Sequence, residues 1–141
     1  MTRALSDFFQ KDHQEIDALM AAVDFASPEA DEDFSDFARR LERHIGWEER
    51  LLFPAAADAE PALSRGPIAV MLAEHEQIRG LIKAVEDALE SGEKDAARER
   101  AGELQDLLAA HNMKEERILY PACDDLLGPT GAKRVLDSLP R

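Results

Sequence analysis

The 141-residue chain carries 30 acidic against 17 basic side chains, a formal net charge of −13. That balance argues against nucleic acid and anionic membrane surfaces as partners, since both require a basic footprint. A hydrophobic share of 45% beside 33% charged residues argues against wholesale disorder, and the single cysteine, Cys123, excludes an intrachain disulfide framework and a thiolate-rich zinc site.

The length predicts one domain over residues 1–141, with the folded bundle at about residues 5–122. No apolar run approaches the roughly 20 residues of a membrane span. The N-terminal stretch lacks an apolar signal core, so a cytoplasmic address is expected. Few aromatics and abundant Ala, Leu, Glu and Asp favour helices over a sheet.

A first helix is predicted from about Leu5 to Ala26. Its stripe reads Phe9, His13, Ile16, Met20 and Val23, in steps of four and three. Ser27-Pro28 breaks it. A second helix begins near Asp31 or Asp33, acids suited to a first turn, and carries the stripe Phe37, Leu41, His44, Glu48 and Leu51. Pro54 is expected to kink or end it, and residues 55–66 read as a turn with one short helical piece. Pro67 opens a third helix with the stripe Ile68, Met71, His75, Ile78, Ile82, Val85 and Leu89, stopped at Ser91-Gly92. The fourth starts near Asp95 and carries Leu104, Leu108, His111, Glu115 and Ile118, with Pro121 ending or bending it. After a turn at Gly128-Pro129-Thr130-Gly131, residues 132–139 form a short terminal helix. The fold class is therefore all-α, an up-down-up-down antiparallel four-helix bundle with a short C-terminal extension.

The chain also repeats itself. The twelve residues from His44 to Ala55 align without gaps on those from His111 to Ala122, sharing the His, both Glu, the Arg, a Leu, the Pro and the Ala. Asp12-His13 likewise lines up with Glu74-His75, each pair followed three residues later by an isoleucine, Ile16 and Ile78. In each long repeat a histidine stands four residues before a glutamate, which stacks the two side chains on one helical face. All four histidines of the chain fall on core stripes. At roughly three chances in seven each, that coincidence comes to about 3%. Six polar groups inside a bundle, with no lysine or arginine on the same stripes, would each carry a desolvation penalty of several kcal/mol if unpaired. Bound cations would remove that penalty.

The inventory is four imidazoles and two carboxylates without sulfur. Two metals can share it symmetrically, each taking two histidines while Glu48 and Glu115 bridge. Mixed nitrogen and oxygen ligation suits iron or manganese. The candidate ligands are His13, His44, Glu48, His75, His111 and Glu115.

The order His13, His44-x-x-x-Glu48, His75, His111-x-x-x-Glu115, with a Glu-Glu-Arg-x-Leu-Phe/Tyr-Pro tail after each pair, resembles the hemerythrin-like, or HHE cation-binding, domain family. The resemblance implies a bundle around two Fe ions in an oxo- or hydroxo-bridged di-iron centre, with Mn as the alternative metal. Its ligand would be a small diatomic or peroxide: dioxygen, hydrogen peroxide or nitric oxide. Oxygen-carrying members have a further histidine one turn before the third-helix ligand, where this chain has Met71. Their last carboxylate lies five residues after the fourth-helix histidine, a spacing that Glu116 would satisfy here. Glu115 is preferred because Glu48 has the matching spacing and an i+5 side chain points about 140° away from the histidine. The pattern is more similar to members tied to oxidative and nitrosative stress than to carriers. An iron buffer, an iron or oxygen sensor and reversible oxygen binding are the alternatives, and the sequence does not decide whether there is turnover. Around the cage, Arg50 and Arg117 read as surface ion-pair residues, Tyr120 as a boundary tyrosine, Trp47 as packing, and Cys123 as a small buried or boundary residue.

Overall fold

The computed structural model describes residues 3–141. In chain order its α-helices are α1 (Ala4–Ala21), α2 (Ala30–Trp47), α3 (Phe53–Ala59), α4 (Pro67–Glu90), α5 (Lys94–Lys114) and α6 (Tyr120–Ser138), with a 3-10 turn at Pro61–Arg65. No strand occurs among the described residues, and none of their helices is long and apolar enough to cross a membrane. α1, α2, α4 and α5 form the four-helix bundle. The α4–α5 hairpin is its most extensive contact, and the facing backbones of α1 and α5 approach least closely of the neighbouring pairs.

Local chemistry explains the ends. Pro67 opens α4, where a missing N–H costs nothing. Gly92 closes it at φ +74, with the Glu93 N–H donating to the Ala88 carbonyl and the Gly92 N–H to Leu89. The start of α1 has no cap of its own. Asp124 of α6 supplies one, its carboxylate accepting from the Leu5 and Ser6 N–H groups at 2.9 and 3.0 Å and from the Ser6 hydroxyl at 2.7 Å. α1 also stops at Ala21, short of the expected Ala26, and Phe25 tucks into the core from the connecting turn.

Pro54 and Pro121 do not end their helices. Each is preceded by a single turn of π-helix, Glu48–Leu52 and Glu115–Leu119. The Phe53 N–H donates to the Glu48 carbonyl and the Tyr120 N–H to that of Glu115, five residues back. The wider turn absorbs the donor that proline lacks. It also shifts the register by one residue. Leu51 and Ile118, expected inside, are half-buried and 59% exposed, whereas Leu52, Phe53, Leu119 and Tyr120 are buried.

Two apolar clusters flank the level of the histidines. One holds Ile16, Phe34, Phe37, Ile78, Val85 and Leu104; the other joins Phe9, Trp47, Leu52, Met71, Leu119 and Cys123. α6 bends at Gly128, whose φ of +67 suits glycine, and Pro129 follows. Beyond the bend, Ala132, Val135 and Leu139 complete the second cluster, and the Trp47 indole donates to the Pro140 carbonyl at 2.9 Å. The C-terminal extension thus covers one end of the bundle.

Candidate metal centre

The helical stripes deliver six polar side chains to one level of the interior: His13 from α1, His44 from α2, His75 from α4, His111 from α5, and Glu48 and Glu115 from the first positions of the two π-turns. All are at most 3% exposed. Each glutamate turns one oxygen toward each half of the cage. Glu48 Oε2 lies 3.5 Å from His44 Nε2, and its Oε1 lies 3.1 Å from His75 Nε2. Glu115 Oε1 lies 3.1 Å from His13 Nε2, and its Oε2 lies 3.3 Å from His111 Nε2. Two four-donor groups result, His13/His44/Glu48/Glu115 and His75/His111/Glu48/Glu115. Within each, the donor atoms lie within 4.8 Å of one another.

The other nitrogen of every histidine is held by a carboxylate. Nδ1 donates from His13 to Glu116 at 2.7 Å, from His44 to Asp12 at 2.8 Å, from His75 to Glu49 at 2.8 Å and from His111 to Glu74 at 2.9 Å. This fixes the Nε2 edge toward the cage, as in carboxylate–histidine–metal sites. The links form a closed ring. Asp12 adjoins His13 but holds His44; Glu49 adjoins Glu48 but holds His75; Glu74 adjoins His75 but holds His111; Glu116 adjoins Glu115 but holds His13. Three of the four carboxylates carry a cation outside: Arg40 on Asp12, Arg79 on Glu49, and Lys114 on Glu74. No lysine or arginine pairs with Glu116 among the described residues.

Of the residues expected around the cage, Arg50 and Arg117 depart from their expected places. Glu116 lies behind His13, outside both donor groups. Arg50 and Arg117 make no ion pair among the described residues; Glu49 pairs with Arg79, and the Arg50 guanidinium lies over Gly46, where a Cβ would meet it. Met71 packs in the second apolar cluster. Trp47 is buried packing, and burial pushes the Cys123 thiol up to about 12, with Asp124 and the cage carboxylates adding to the effect.

Tyr120 is no boundary residue. It is fully buried, its hydroxyl donates to Glu48 Oε2 at 2.5 Å, and its oxygen lies 3.0 Å from Glu115 Oε1 and 3.2 Å from Nε2 of both His13 and His44. Its counterpart Phe53 stacks on His75 with ring centroids 5.9 Å apart. The π-turn register brings Tyr120 inward, and a strict 3.6-residue period does not reveal that. Asp12 and Glu74, aligned in the repeat but given no role by it, carry a signal: both repeats place an acid directly before the histidine.

Without a cation, three of the four cage histidines are pushed toward their protonated forms. Burial disfavours charge on His44, but the Glu48 carboxylate and the bond to Asp12 outweigh it and push His44 up to about 10. His111 rises against burial to about 9 through Glu115, and His75 rises against burial through Glu48. Burial would raise Glu48, yet the histidines hold it well below the usual carboxylate range. Burial, then the Glu115 and Glu48 charges, push the Tyr120 phenol well above its ordinary value. Even so, Glu48 Oε1 and His75 Nε2, 3.1 Å apart, and Glu115 Oε2, 3.3 Å from His111 Nε2, are buried and close to a charge partner without an aligned hydrogen bond. Buried nitrogen and oxygen ligand atoms arranged in this way fit a metal cation.

Residues 4–123 match a family model described as the hemerythrin HHE cation-binding domain. Neither a curated protein nor a solved structure matches the chain significantly.

Proposed function

The chain belongs to the hemerythrin HHE cation-binding family, and on that premise we propose that it is a non-haem di-iron protein that handles dioxygen, hydrogen peroxide or nitric oxide under oxidative or nitrosative stress, in the cytoplasm. His13 and His44 would hold one iron and His75 and His111 the other, with Glu48 and Glu115 shared. The observation that carries this reading is the pair of four-donor groups with two common carboxylates. Bound iron would supply redox chemistry and the affinity for a small oxidant.

The protein's own share follows from its side chains. Each iron would receive about four protein bonds, which leaves room for a small ligand on both. The Asp12, Glu49, Glu74 and Glu116 carboxylates hold the imidazoles in the orientation ligation needs. The two apolar clusters on either side keep bulk water from the cage. Met71, in place of a further histidine, favours reaction with an oxidant over one-ended oxygen carriage.

Anaerobic loading with Fe(II), metal analysis and exposure to each oxidant in turn test the proposal. The expected result is two irons per chain, near-ultraviolet absorption on oxidation and consumption of at least one oxidant. A flat spectrum with no oxidant consumed overturns it. A second reading, an iron buffer or sensor without turnover, is favoured by the three buried cage atoms that lack an aligned hydrogen bond, since metal that satisfied them would stabilise the fold. It predicts a large metal-dependent rise in melting temperature with no oxidant consumption.

A further inference from the structure

The two halves of the cage are related by the internal repeat, but they are not equivalent. In the His13/His44 half the Tyr120 hydroxyl sits among the four donor atoms, between 2.5 and 3.2 Å from each. In the other half the corresponding residue is Phe53, which brings a flat apolar ring against His75 and no polar atom. The three buried cage atoms without an aligned hydrogen bond, Glu48 Oε1, His75 Nε2 and Glu115 Oε2, all belong to that half, where His75 Nε2 lies 3.1 Å from Glu48 Oε1 and His111 Nε2 3.3 Å from Glu115 Oε2.

We propose that the two cation positions fill in a fixed order, His75/His111 first and His13/His44 second, and that Tyr120 sets the order. This rests on the two-cation reading above. The first ion displaces no protein group from the His75/His111 half and replaces the His75–Glu48 and His111–Glu115 contacts, which are not aligned as hydrogen bonds, with ligation; poorly paired buried polar atoms are costly. Tyr120 assists, because its bonds hold Glu48 Oε2 and Glu115 Oε1 and so turn the opposite oxygens toward the first ion. The second ion must take the space where the hydroxyl stands, break its bond to Glu48 and push the phenol toward apolar neighbours such as Phe9, whose ring centroid is 5.2 Å away. One side chain therefore orients the shared carboxylates for the first ion and obstructs the second.

The chain has a single tyrosine and four histidines, so each can be followed by NMR after isotope labelling. Zn(II), which is diamagnetic and accepts nitrogen and oxygen ligands, is added to the full-length metal-free protein up to two equivalents. His75 and His111 are expected to shift over the first equivalent, and Tyr120, His13 and His44 over the second. Calorimetry is expected to resolve two steps separated on the order of tenfold in Kd. In Tyr120→Phe the first step weakens, the second tightens, and the two converge to within about threefold. The exchange Phe53→Tyr with Tyr120→Phe moves the hydroxyl to the other half and reverses the order. If Tyr120 moves from the first addition in the unaltered protein, or if His13 and His44 lead, the order is wrong. A chain that takes up neither zinc nor iron fails the two-cation reading itself, a separate result.

Discussion

Raising the pH above neutrality should loosen the metal-free chain while strengthening its hold on cations. His44 is pushed up to about 10 and His111 to about 9, against about 6.5 in the unfolded chain. A raised folded pKa gives stability that is complete below the unfolded value and is lost as pH rises through the folded one. Between about pH 6.5 and 9, each of these histidines keeps a proton that the unfolded chain has released. Each such proton removes about 1.4 kcal/mol of stability per pH unit. The two together give at most about 3 kcal/mol per unit, or roughly 10 °C in melting temperature for a chain of this size. On the acid side the sign reverses. Glu48, Asp12, Glu49 and Glu74 all have lowered pKa values. Their contribution is present above about pH 4.5 and is lost as pH falls through the folded values. The metal-free chain therefore has its stability maximum between about pH 5 and 6.5. Ligation requires neutral imidazoles, so the gain from metal grows with pH. Thermal melts followed by circular dichroism from pH 5 to 8.5, with chelator and with saturating Zn(II), measure both trends. A metal-free melting temperature that stays level or rises between pH 6.5 and 8.5 refutes the reasoning.

Other perturbations separate the layers of the structure. Asp12→Asn removes the charge that holds His44 and should weaken metal binding by about 10- to 100-fold in chelator competition, with the helical circular dichroism unchanged. Leu119→Ala should cost about 2–5 kcal/mol in denaturant unfolding, whereas Ile118→Ala should stay within about 0.5 kcal/mol. The opposite ranking would mean that the π-turn register is absent. Asp124→Ala leaves the first N–H groups of α1 without their acceptor and should cost about 1–2 kcal/mol, read in the same unfolding assay.

The bundle was legible because its apolar stripes keep the 3.6-residue period over most of each long helix. The six cage residues were legible because the repeat shows the same His-x-x-x-Glu step twice. The period fails at one place in each repeat, just before the proline. There the π-turn inserts a residue, so Leu51 and Ile118 leave the core while Leu52 and Leu119 enter it. Tyr120 was misplaced for that reason alone. The carboxylate ring was hidden differently. Asp12, Glu49, Glu74 and Glu116 each adjoin a cage residue in sequence but serve a histidine on another helix, so only the packing of the bundle pairs them. The imidazole hydrogen bonds are long-range in the chain, and a local pattern cannot state them.

That ring is joined across the weakest seam of the bundle. The backbones of α1 and α5 hardly meet, and a groove of about 190 Å³ bordered by Asp17, Met20 and Leu108 runs between them. At the level of the cage, what spans the gap is His13 reaching to Glu115 and Glu116. The same kind of pair crosses every other seam, but here the backbones stand furthest apart, so the two ionisable pairs carry more of the join. A change in what occupies the cage therefore acts as a mechanical event on one flank, and amide exchange along α1 and the end of α5 would register it before the α4–α5 hairpin does.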